Sequence, residues 1–171
     1  MSMQDTLAAI KNRKSIRSYI DKKVPQEILE DLIDCARLAP TGYNKQAWKF
    51  AVITDKEIKK EIAGEAKYGR FIKEAGACVA VFCDENEALT SLEDASAATE
   101  NILIAAAAYG LGTCWVNSYK KEHSNEVENI LNTPDNYTLM TLIAVGYYES
   151  EKENKERNKK SLDEVLVWNK F

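Results

Sequence analysis

Apolar residues recur along the chain with two periods, one typical of helices and one typical of strands. Residues 28–36 carry apolar side chains at helical spacing, Pro25 suits the first turn, and Pro40 ends the run. Residues 48–54 are apolar at most positions and predict a strand, after which Asp55 is placed to cap a further helix. The first half of the chain therefore predicts helix, strand and helix in succession.

The second half continues this alternation. Residues 77–83 form a short, apolar, β-rich run, which predicts a strand covered on both faces. Residues 92–109 predict the longest helix, closed by Gly110 at the usual C-terminal position for glycine. The other predicted elements are a helix that Asp5 caps and that runs through Asn12, a strand over 113–117, a helix over about 122–131 and a strand over 138–148. Interleaved helices and strands predict a mixed α and β class.

The end of the chain has a different pattern. Residues 149–160 are nearly all charged or polar, which indicates a solvated connector. Six apolar residues follow it, namely Leu162, Val165, Leu166, Val167, Trp168 and Phe171. An apolar tail beyond a charged arm favours contact with a second subunit, and docking onto the same chain is the alternative.

Composition narrows the class of protein. With 171 residues, 45% hydrophobic and 29% charged, the chain is typical of one globular domain, which we expect to span residues 1–171. No apolar run approaches the roughly 20 residues that span a bilayer, and the N-terminus lacks the pattern of a signal peptide. We therefore expect a cytoplasmic protein without a membrane partner. The net charge of −4 argues against nucleic acid as a partner.

Few residues are available for metal or nucleophilic chemistry. Four cysteines lie among apolar residues without a C-x-x-C pair, and we expect buried, reduced thiols: Cys35, Cys78, Cys83 and Cys114. The single histidine, His123, lies in a polar stretch, and we interpret it as a surface residue. A histidine-based metal site and a Ser-His-Asp triad are therefore disfavoured. A phosphate loop and a dinucleotide-binding glycine fingerprint are absent, since Gly110-Leu111-Gly112 ends a helix instead of opening one.

The densest group of cations in the front half of the chain is Arg13-Lys14-Ser15-Ile16-Arg17. Arg13 and Lys14, with the hydroxyl of Ser15, suit a terminal phosphate, and Arg17 could meet another electronegative part of the same ligand. A solvated basic loop is the alternative. A second cationic group in the arm would join the same anion only if the arm folds back: Arg157, Lys159 and Lys160.

Residues 39–48 form the second unusual segment. Thr41, Asn44 and Gln46 place hydrogen-bonding side chains in a loop between a helix and a strand, where binding groups are common. The alternative is a turn that Asn44 stabilises, with Trp48 as the start of a core strand.

Together these segments resemble the FMN-dependent nitroreductase family. The family has a motif like R-R-S-x-R, a loop like A-P-S-x-x-N-x-Q-P-W, a G-L-G-s-c-w-i segment, an a-v-G-Y strand and a basic arm that leads to L-x-E-V. The matching segments occur here in the same order: residues 13–17, 39–48, 110–116, 144–147 and 159–165. The chain departs from the pattern at Lys14, which replaces the commoner arginine, and at Ala47, which replaces proline.

The resemblance implies an α+β fold with a central mixed, mostly antiparallel sheet flanked by helices. It implies a homodimer with two flavin sites at the interface and an arm, residues 149–171, that wraps the partner. Arg13, Lys14 and Ser15 would hold the phosphate and ribityl end, and Arg17 would lie near the pyrimidine edge of the flavin. Thr41 and Asn44 would come from the other subunit. The remaining residues implied to bind the cofactor are Gln46, Cys114, Trp115, Arg157 and Lys159.

The function implied is an FMN-dependent oxidoreductase that passes hydride from NADH or NADPH to a nitroaromatic or quinone-type acceptor. The cofactor carries the chemistry, so no catalytic side chain is expected. The alternatives are related flavin chemistry (dehalogenation, flavin destruction or oxidation of a cyclic intermediate) and a flavin-binding protein without turnover. Residues 64–74 leave little room for the helical insertion of larger members, and Arg70 there is a further candidate contact.

Overall fold

The centre of the molecule is an antiparallel sheet of four strands. The computed structural model describes residues 3–149 and 158–171, with side chains from Thr6 onward. Its strands are β1 (Trp48–Ile53), β2 (Ala77–Asp84), β3 (Gly112–Asn117) and β4 (Tyr137–Gly146). They lie in the order β1-β2-β4-β3, with β2 and β4 at the centre. The expected α+β fold with a mostly antiparallel sheet is confirmed.

Helices cover both faces of this sheet. They are α1 (Met3–Asn12), α2 (Gln26–Arg37), α3 (Lys56–Glu65), α4 (Ser91–Ala108) and α5 (Ser124–Ile130), with short 3-10 turns at Gly42–Asn44 and Arg70–Glu74. Apolar residues of α2 and α4 pack on one face of the sheet, and those of α3 and α5 pack on the other. None of the described helices is long and apolar enough to cross a membrane.

Strand β2 shows why the central run of the sequence is apolar at every position. Val79 and Val81 belong to the core on the α2 and α4 side, whereas Cys78 and Ala80 belong to the core on the α3 and α5 side. All four are fully buried. A strand covered on both faces loses the alternation of apolar and polar residues, as predicted.

Local signals in the sequence place several element ends correctly. The Asp55 carboxylate accepts hydrogen bonds from the backbone N–H groups of Glu57 (2.9 Å) and Ile58 (3.0 Å), which confirms it as the N-cap of α3. Gly110 follows α4 with φ of +70°, the left-handed conformation that glycine adopts most readily after a helix.

Other boundaries differ from the prediction. Helix α1 begins at Met3, so Asp5 lies inside its first turn, whereas the sequence placed it at the N-cap position. Strand β4 ends at Gly146, two residues earlier than expected. The expected mixed sheet has little parallel pairing. All neighbouring strands among the described residues are antiparallel, and the parallel pairing there is one isolated bridge between Ser15 and Thr113.

The C-terminal arm contrasts with this packed core. Residues 158–171 are all exposed, and they form turns and bends without helix or strand. Trp168 is 78% exposed and Leu162 is 71% exposed, values uncommon for apolar side chains of that size. The apolar tail is therefore available to a partner surface.

Candidate active site

The basic segment at residues 13–17 runs beside the edge strand β3. Ser15 forms a parallel bridge with Thr113, and the Ile16 N–H donates to the Thr113 carbonyl at 2.8 Å. The Ile16 side chain is 1% exposed, and the Tyr19 hydroxyl donates to the Ile16 carbonyl at 2.7 Å. Ile16 is thus a buried apolar anchor between Lys14 and Arg17, and it holds this segment against the edge of β3.

Gly112 allows this close approach. A Cβ atom at position 112 would lie 2.7 Å from a side-chain carbon of Ile16, closer than non-bonded carbons tolerate. The second glycine of Gly110-Leu111-Gly112 therefore has a structural reason, since it lets the segment 13–17 lie against β3.

The polar members of the basic segment lie in different surroundings. The Arg13 guanidinium Nε lies 3.8 Å from a carboxylate oxygen of Glu100 on α4, which is a long ion pair between partly exposed groups. Lys14 and Ser15 are half-buried. Arg17 is exposed, with its guanidinium carbon 6.0 Å from the centre of the Phe71 ring.

Arg17 lines a cleft of about 790 Å³ together with Cys114 and Trp115. Trp115 is 37% exposed at the cleft, whereas Cys114 is 2% exposed and contributes to its floor. Tyr68, 82% exposed, lies on the same cleft. The structure thus brings together three of the residues expected to bind the cofactor, and it adds an aromatic side chain that sequence reasoning did not assign.

The loop with Thr41, Asn44 and Gln46 is a separate, tightly hydrogen-bonded unit. The Thr41 hydroxyl accepts from the Gln46 N–H at 3.2 Å, and the Gln46 side-chain amide donates to the Asn44 carbonyl at 3.2 Å. Asn44 and Gln46 have φ values of +57° and +51°, as does Tyr43 with +52°. Three non-glycine residues in the left-handed region concentrate backbone strain here, which is typical of functional loops.

Other predicted residues do not join the cleft. The loop residues Thr41, Asn44 and Gln46 are not among those that line it within the described part of the chain. Lys159 is exposed on the arm, and Arg157 lies outside the described residues. The convergence of the arm on the basic segment therefore stays a prediction, as does the approach of the loop from a second subunit.

His123 is not the plain surface residue that the sequence indicated. It is half-buried at the cleft, and its Nε2 lies 3.0 Å from the Ser118 hydroxyl oxygen. Burial lowers the pKa of its imidazole, with repulsion from Lys121 as a second cause. The sequence indicated a surface residue because the neighbours of His123 along the chain are polar. Its burial instead comes from the way the turn between β3 and α5 folds.

The expected burial of the cysteines is confirmed for three of the four. Cys78, Cys83 and Cys114 are buried and outside any disulfide, as expected, but Cys35 is only half-buried. Among the residues that the structure describes, no group of three or more histidine, cysteine, aspartate or glutamate side chains is arranged to hold a metal ion.

Comparison with known proteins identifies the family. A sequence model of the nitroreductase family matches residues 10–69 and 63–147, and the chain belongs to this family. A protein of Archaeoglobus fulgidus, provisionally named NADH dehydrogenase/NAD(P)H nitroreductase, is 33% identical over 156 residues, which cover 88% of this chain and 90% of that protein. The predicted family is thereby confirmed.

Two further relatives show the range of the family. Iodotyrosine deiodinase of Thermotoga neapolitana is 30% identical over 182 residues, which cover 92% of this chain and 93% of that protein. The structure of an FMN-dependent nitroreductase from Clostridium difficile superposes with a TM-score of 0.85 at 26% identity, covering 96% of this chain and 99% of that one. At the level of the family, the prediction of an FMN- and NAD(P)H-linked oxidoreductase is confirmed.

The residues present fit an FMN molecule. The cleft lies within the roughly 300–1,000 Å³ range of cofactor sites, and Trp115 gives it an exposed aromatic surface. Arg13, which is partly buried, and Ser15, which is bridged to β3, belong to the same short segment as the cleft residue Arg17. This donor set suits a ligand with a phosphate at one end and a polar ring at the other.

Proposed function

We propose that the chain binds FMN along segment 13–17 and β3, and that it is an NAD(P)H-dependent oxidoreductase acting on a nitroaromatic or quinone-type acceptor. The bridge between Ser15 and Thr113 is the observation that carries the proposal, since it holds the segment that contains Arg13 and Arg17 against the edge strand β3. When bound, FMN supplies the hydride chemistry between the nicotinamide nucleotide and the acceptor.

Arg13, Lys14 and Ser15 hold the phosphate in this proposal. The 3.8 Å separation of Arg13 from Glu100 is long enough for the guanidinium to exchange this partner for a phosphate oxygen. Lys14 supplies charge without the two-pronged geometry of arginine. Arg17 stabilises negative charge at the pyrimidine edge of the ring, and Trp115 and Cys114 form the surface beneath it.

A homodimer completes the site. Thr41, Asn44 and Gln46 of one subunit reach the flavin of the other, and Arg157 and Lys159 of the arm join the phosphate site. The exposed apolar side chains Leu7 (46%) and Ile10 (49%) on α1 support an interface, because apolar groups grouped on one helix seldom face water in a monomer. In this arrangement residues 1–171 are one domain, and the arm, residues 149–171, wraps the partner.

The tail has a suitable receiving surface at the opposite edge of the sheet. A groove of about 650 Å³ lies between α2 and the edge strand β1, with Ile33 on one side and Phe50 and Val52 on the other. Strand β1 pairs only with β2 among the described strands, so its outer edge presents free backbone groups. An extended apolar segment such as the tail of a second copy matches both features.

Anaerobic mixing of the purified yellow protein with NADH and with NADPH tests the proposal. We expect the visible absorbance of the bound flavin to bleach with at least one nucleotide and to return when a quinone or a nitroaromatic compound is added. We also propose a cytoplasmic location, where NAD(P)H is available. A flavin that neither nucleotide bleaches would reject the oxidoreductase and favour a flavin-binding protein without turnover.

Reductive dehalogenation is the second candidate. It is favoured by the iodotyrosine deiodinase of T. neapolitana, which matches this chain over almost the whole length of both proteins. Iodide release from an iodinated phenol by the NAD(P)H-reduced protein, measured beside quinone reduction, separates the two functions. Efficient iodide release with slow quinone and nitroaromatic reduction would replace the first proposal by the second.

A further inference from the structure

Four cations line the cleft of a protein that is acidic as a whole. They come from three separate segments: Arg17 from the N-terminal segment, Lys67 from the turn after α3, and Lys120 and Lys121 from the loop between β3 and α5. The net charge of the chain is −4, so this grouping is a local reversal of sign. A concave surface lined by one sign of charge concentrates ligands of the opposite sign.

The other titratable side chains of the cleft do not cancel this charge. Two carboxylates, Glu65 and Glu122, face four cations. His123 adds no negative charge, and burial lowers the pKa of its imidazole, which favours the neutral form. The balance of formal charges at the cleft is therefore positive.

The four cations also lack short ion pairs. In the described ranges 3–149 and 158–171, none of them lies within 4.0 Å of a carboxylate oxygen. Three of them lie near aromatic rings: Lys120 lies 4.6 Å from the Tyr119 ring, Lys67 lies 5.8 Å from the Tyr68 ring, and Arg17 lies 6.0 Å from the Phe71 ring. A hydrogen bond with the Tyr119 side chain, with attraction by Glu85 as a smaller cause, raises the pKa of Lys120 and so favours its charged form. A ring attracts a cation without neutralising it, so the charge stays available to a ligand.

The loop that carries two of these lysines is held in one conformation. The Lys121 N–H donates to the Ser118 carbonyl and to the Ser124 hydroxyl, both at 3.1 Å, and the Ser124 hydroxyl donates in turn to the Ser118 carbonyl. Lys120 has φ of +52°, in the left-handed region. A strained residue fixed by a hydrogen-bonded turn is a preorganised feature, typical of a binding loop.

We propose that this cleft recognises an anionic group, a carboxylate, sulfonate or phosphate, on an aromatic molecule that exchanges electrons with the bound cofactor. The inference rests on the proposed function and names the charge class of its substrate. The aromatic part of the ligand contacts the exposed ring of Tyr68, and Lys120 and Lys121 face its anionic group. Two sources share this chemistry: an acidic acceptor, and the additional phosphate that distinguishes NADPH from NADH.

Calorimetry on the holoprotein with two redox-inert ligands tests the charge preference directly. Naphthalene-2-sulfonate and naphthalene-2-sulfonamide have the same ring and differ in charge. We expect the sulfonate to bind more tightly at low ionic strength, and the preference to shrink as salt is added. In Lys120→Gln/Lys121→Gln, the ratio of the two dissociation constants should fall by about three- to tenfold, the size of two Coulomb interactions near a solvated surface.

The matched control is Lys60→Gln/Lys73→Gln. It removes the same charge from two exposed lysines that do not line the cleft, and it should keep the wild-type ratio. Equal binding of both ligands by the wild type would overturn the proposal. An equal fall of the ratio in the control variant would also overturn it, since the effect would then come from net charge alone.

Rapid mixing separates the two sources of the anion. If Lys120→Gln/Lys121→Gln slows only the re-oxidation of the flavin by 4-nitrobenzenesulfonate, relative to 4-nitrobenzenesulfonamide, the lysines recognise an acidic acceptor. If the variant slows only the reduction of the flavin by NADPH, relative to NADH, the lysines recognise the nucleotide phosphate. Either result supports the proposal. Loss of FMN from the lysine variant would overturn it, because the lysines would then serve the cofactor. Bleaching by NAD(P)H and turnover of a neutral quinone check the proposed function independently.

Discussion

The buried carboxylate of Asp94 accepts a hydrogen bond from the backbone N–H of Gly42 at 3.1 Å, across 52 positions of sequence. Asp94 is 4% exposed in the first turn of α4, and the same oxygen accepts from the Thr90 hydroxyl at 2.7 Å. A Cβ at position 42 would lie 2.5 Å from that hydroxyl oxygen. Asp94 and Thr90 therefore fix the start of the loop with Thr41 and Asn44.

Replacement of Asp94 should loosen this loop. In Asp94→Asn we expect a loss of about 1 to 2 kcal/mol in the free energy of unfolding, because a charge-assisted hydrogen bond becomes a neutral one. We also expect faster proteolysis near Tyr43, which is 90% exposed. Urea titration and mass spectrometry of the cleavage products measure the two effects.

Glu93→Gln is the control for this prediction. Glu93 is an exposed carboxylate in the same first turn of α4, so both variants lose one favourable interaction with the helix N-terminus. The difference between the variants isolates the contact with the loop. If both variants unfold at the same urea concentration and are cleaved alike, the loop does not depend on Asp94.

His123 should make stability depend on pH in a defined direction. Burial lowers the pKa of this imidazole below its ordinary value of 6.5, so the unfolded chain binds the proton more strongly than the folded chain does. The favourable contribution is complete above pH 6.5 and is lost as the pH falls from there through the lower pKa of the folded state. We expect the wild type to lose more stability than His123→Gln over this range, measured by urea unfolding at several pH values.

The variant is a sensitive comparison because His123 is the single histidine of the chain. Carboxylates titrate alike in both proteins, so their contribution cancels in the difference. Glutamine keeps a polar group that can reach the Ser118 hydroxyl. Parallel pH profiles of the two proteins would show that the imidazole has the same pKa in both states.

The buried thiols should be inert in the native protein. Burial raises the pKa of Cys78 to about 12 and that of Cys83 to about 12 as well. Compared with a thiol of the ordinary pKa of 9.0, each has about a thousandfold smaller thiolate fraction at pH 8. We expect a thiol reagent to leave both unmodified while the protein is folded and to label all four cysteines in urea. Rapid native labelling of Cys78 would show that the core opens.

The apolar tail should stabilise the dimer. Trp168→Ala/Phe171→Ala removes two aromatic side chains that are 78% exposed and fully exposed. We expect the dimer dissociation constant to rise about tenfold or more, since buried aromatic residues dominate interface energies. Sedimentation analysis measures this constant, and Lys170→Ala in the same tail is the control. Unchanged association in the aromatic variant would indicate that the tail lies outside the interface.

The sequence predicts features that depend on near neighbours. The cap at Asp55, the two-sided strand β2 and the end of α4 at Gly110 all follow from residues a few positions apart. Contacts between segments that are distant in the sequence could not be predicted. The burial of His123 and the contact of Asp94 with Gly42 depend on how turns and helices pack, which no local pattern records.

The candidate site shows the same division. The motif at residues 13–17 identified the basic segment, but its attachment to β3 became visible only in the Ser15–Thr113 bridge. Lys120 and Lys121 carried a usable signal, since two adjacent cations follow a predicted strand of an acidic protein. The contributions of Thr41 and Arg157 involve, in our proposal, a second copy of the chain, and a single sequence cannot display that geometry.

Titration of apoprotein with FMN tests the central claim most directly. Arg13→Ala and Ser15→Ala should each raise the dissociation constant by about tenfold to a hundredfold, the effect of a lost charge-assisted or neutral hydrogen bond to phosphate. Lys11→Ala removes an exposed cation two residues away, and it should bind FMN as the wild type does. Riboflavin, which lacks the phosphate, should bind all four proteins equally. If Arg13→Ala and Ser15→Ala bind FMN with wild-type affinity, the phosphate does not lie at residues 13–15 and the proposed site is wrong.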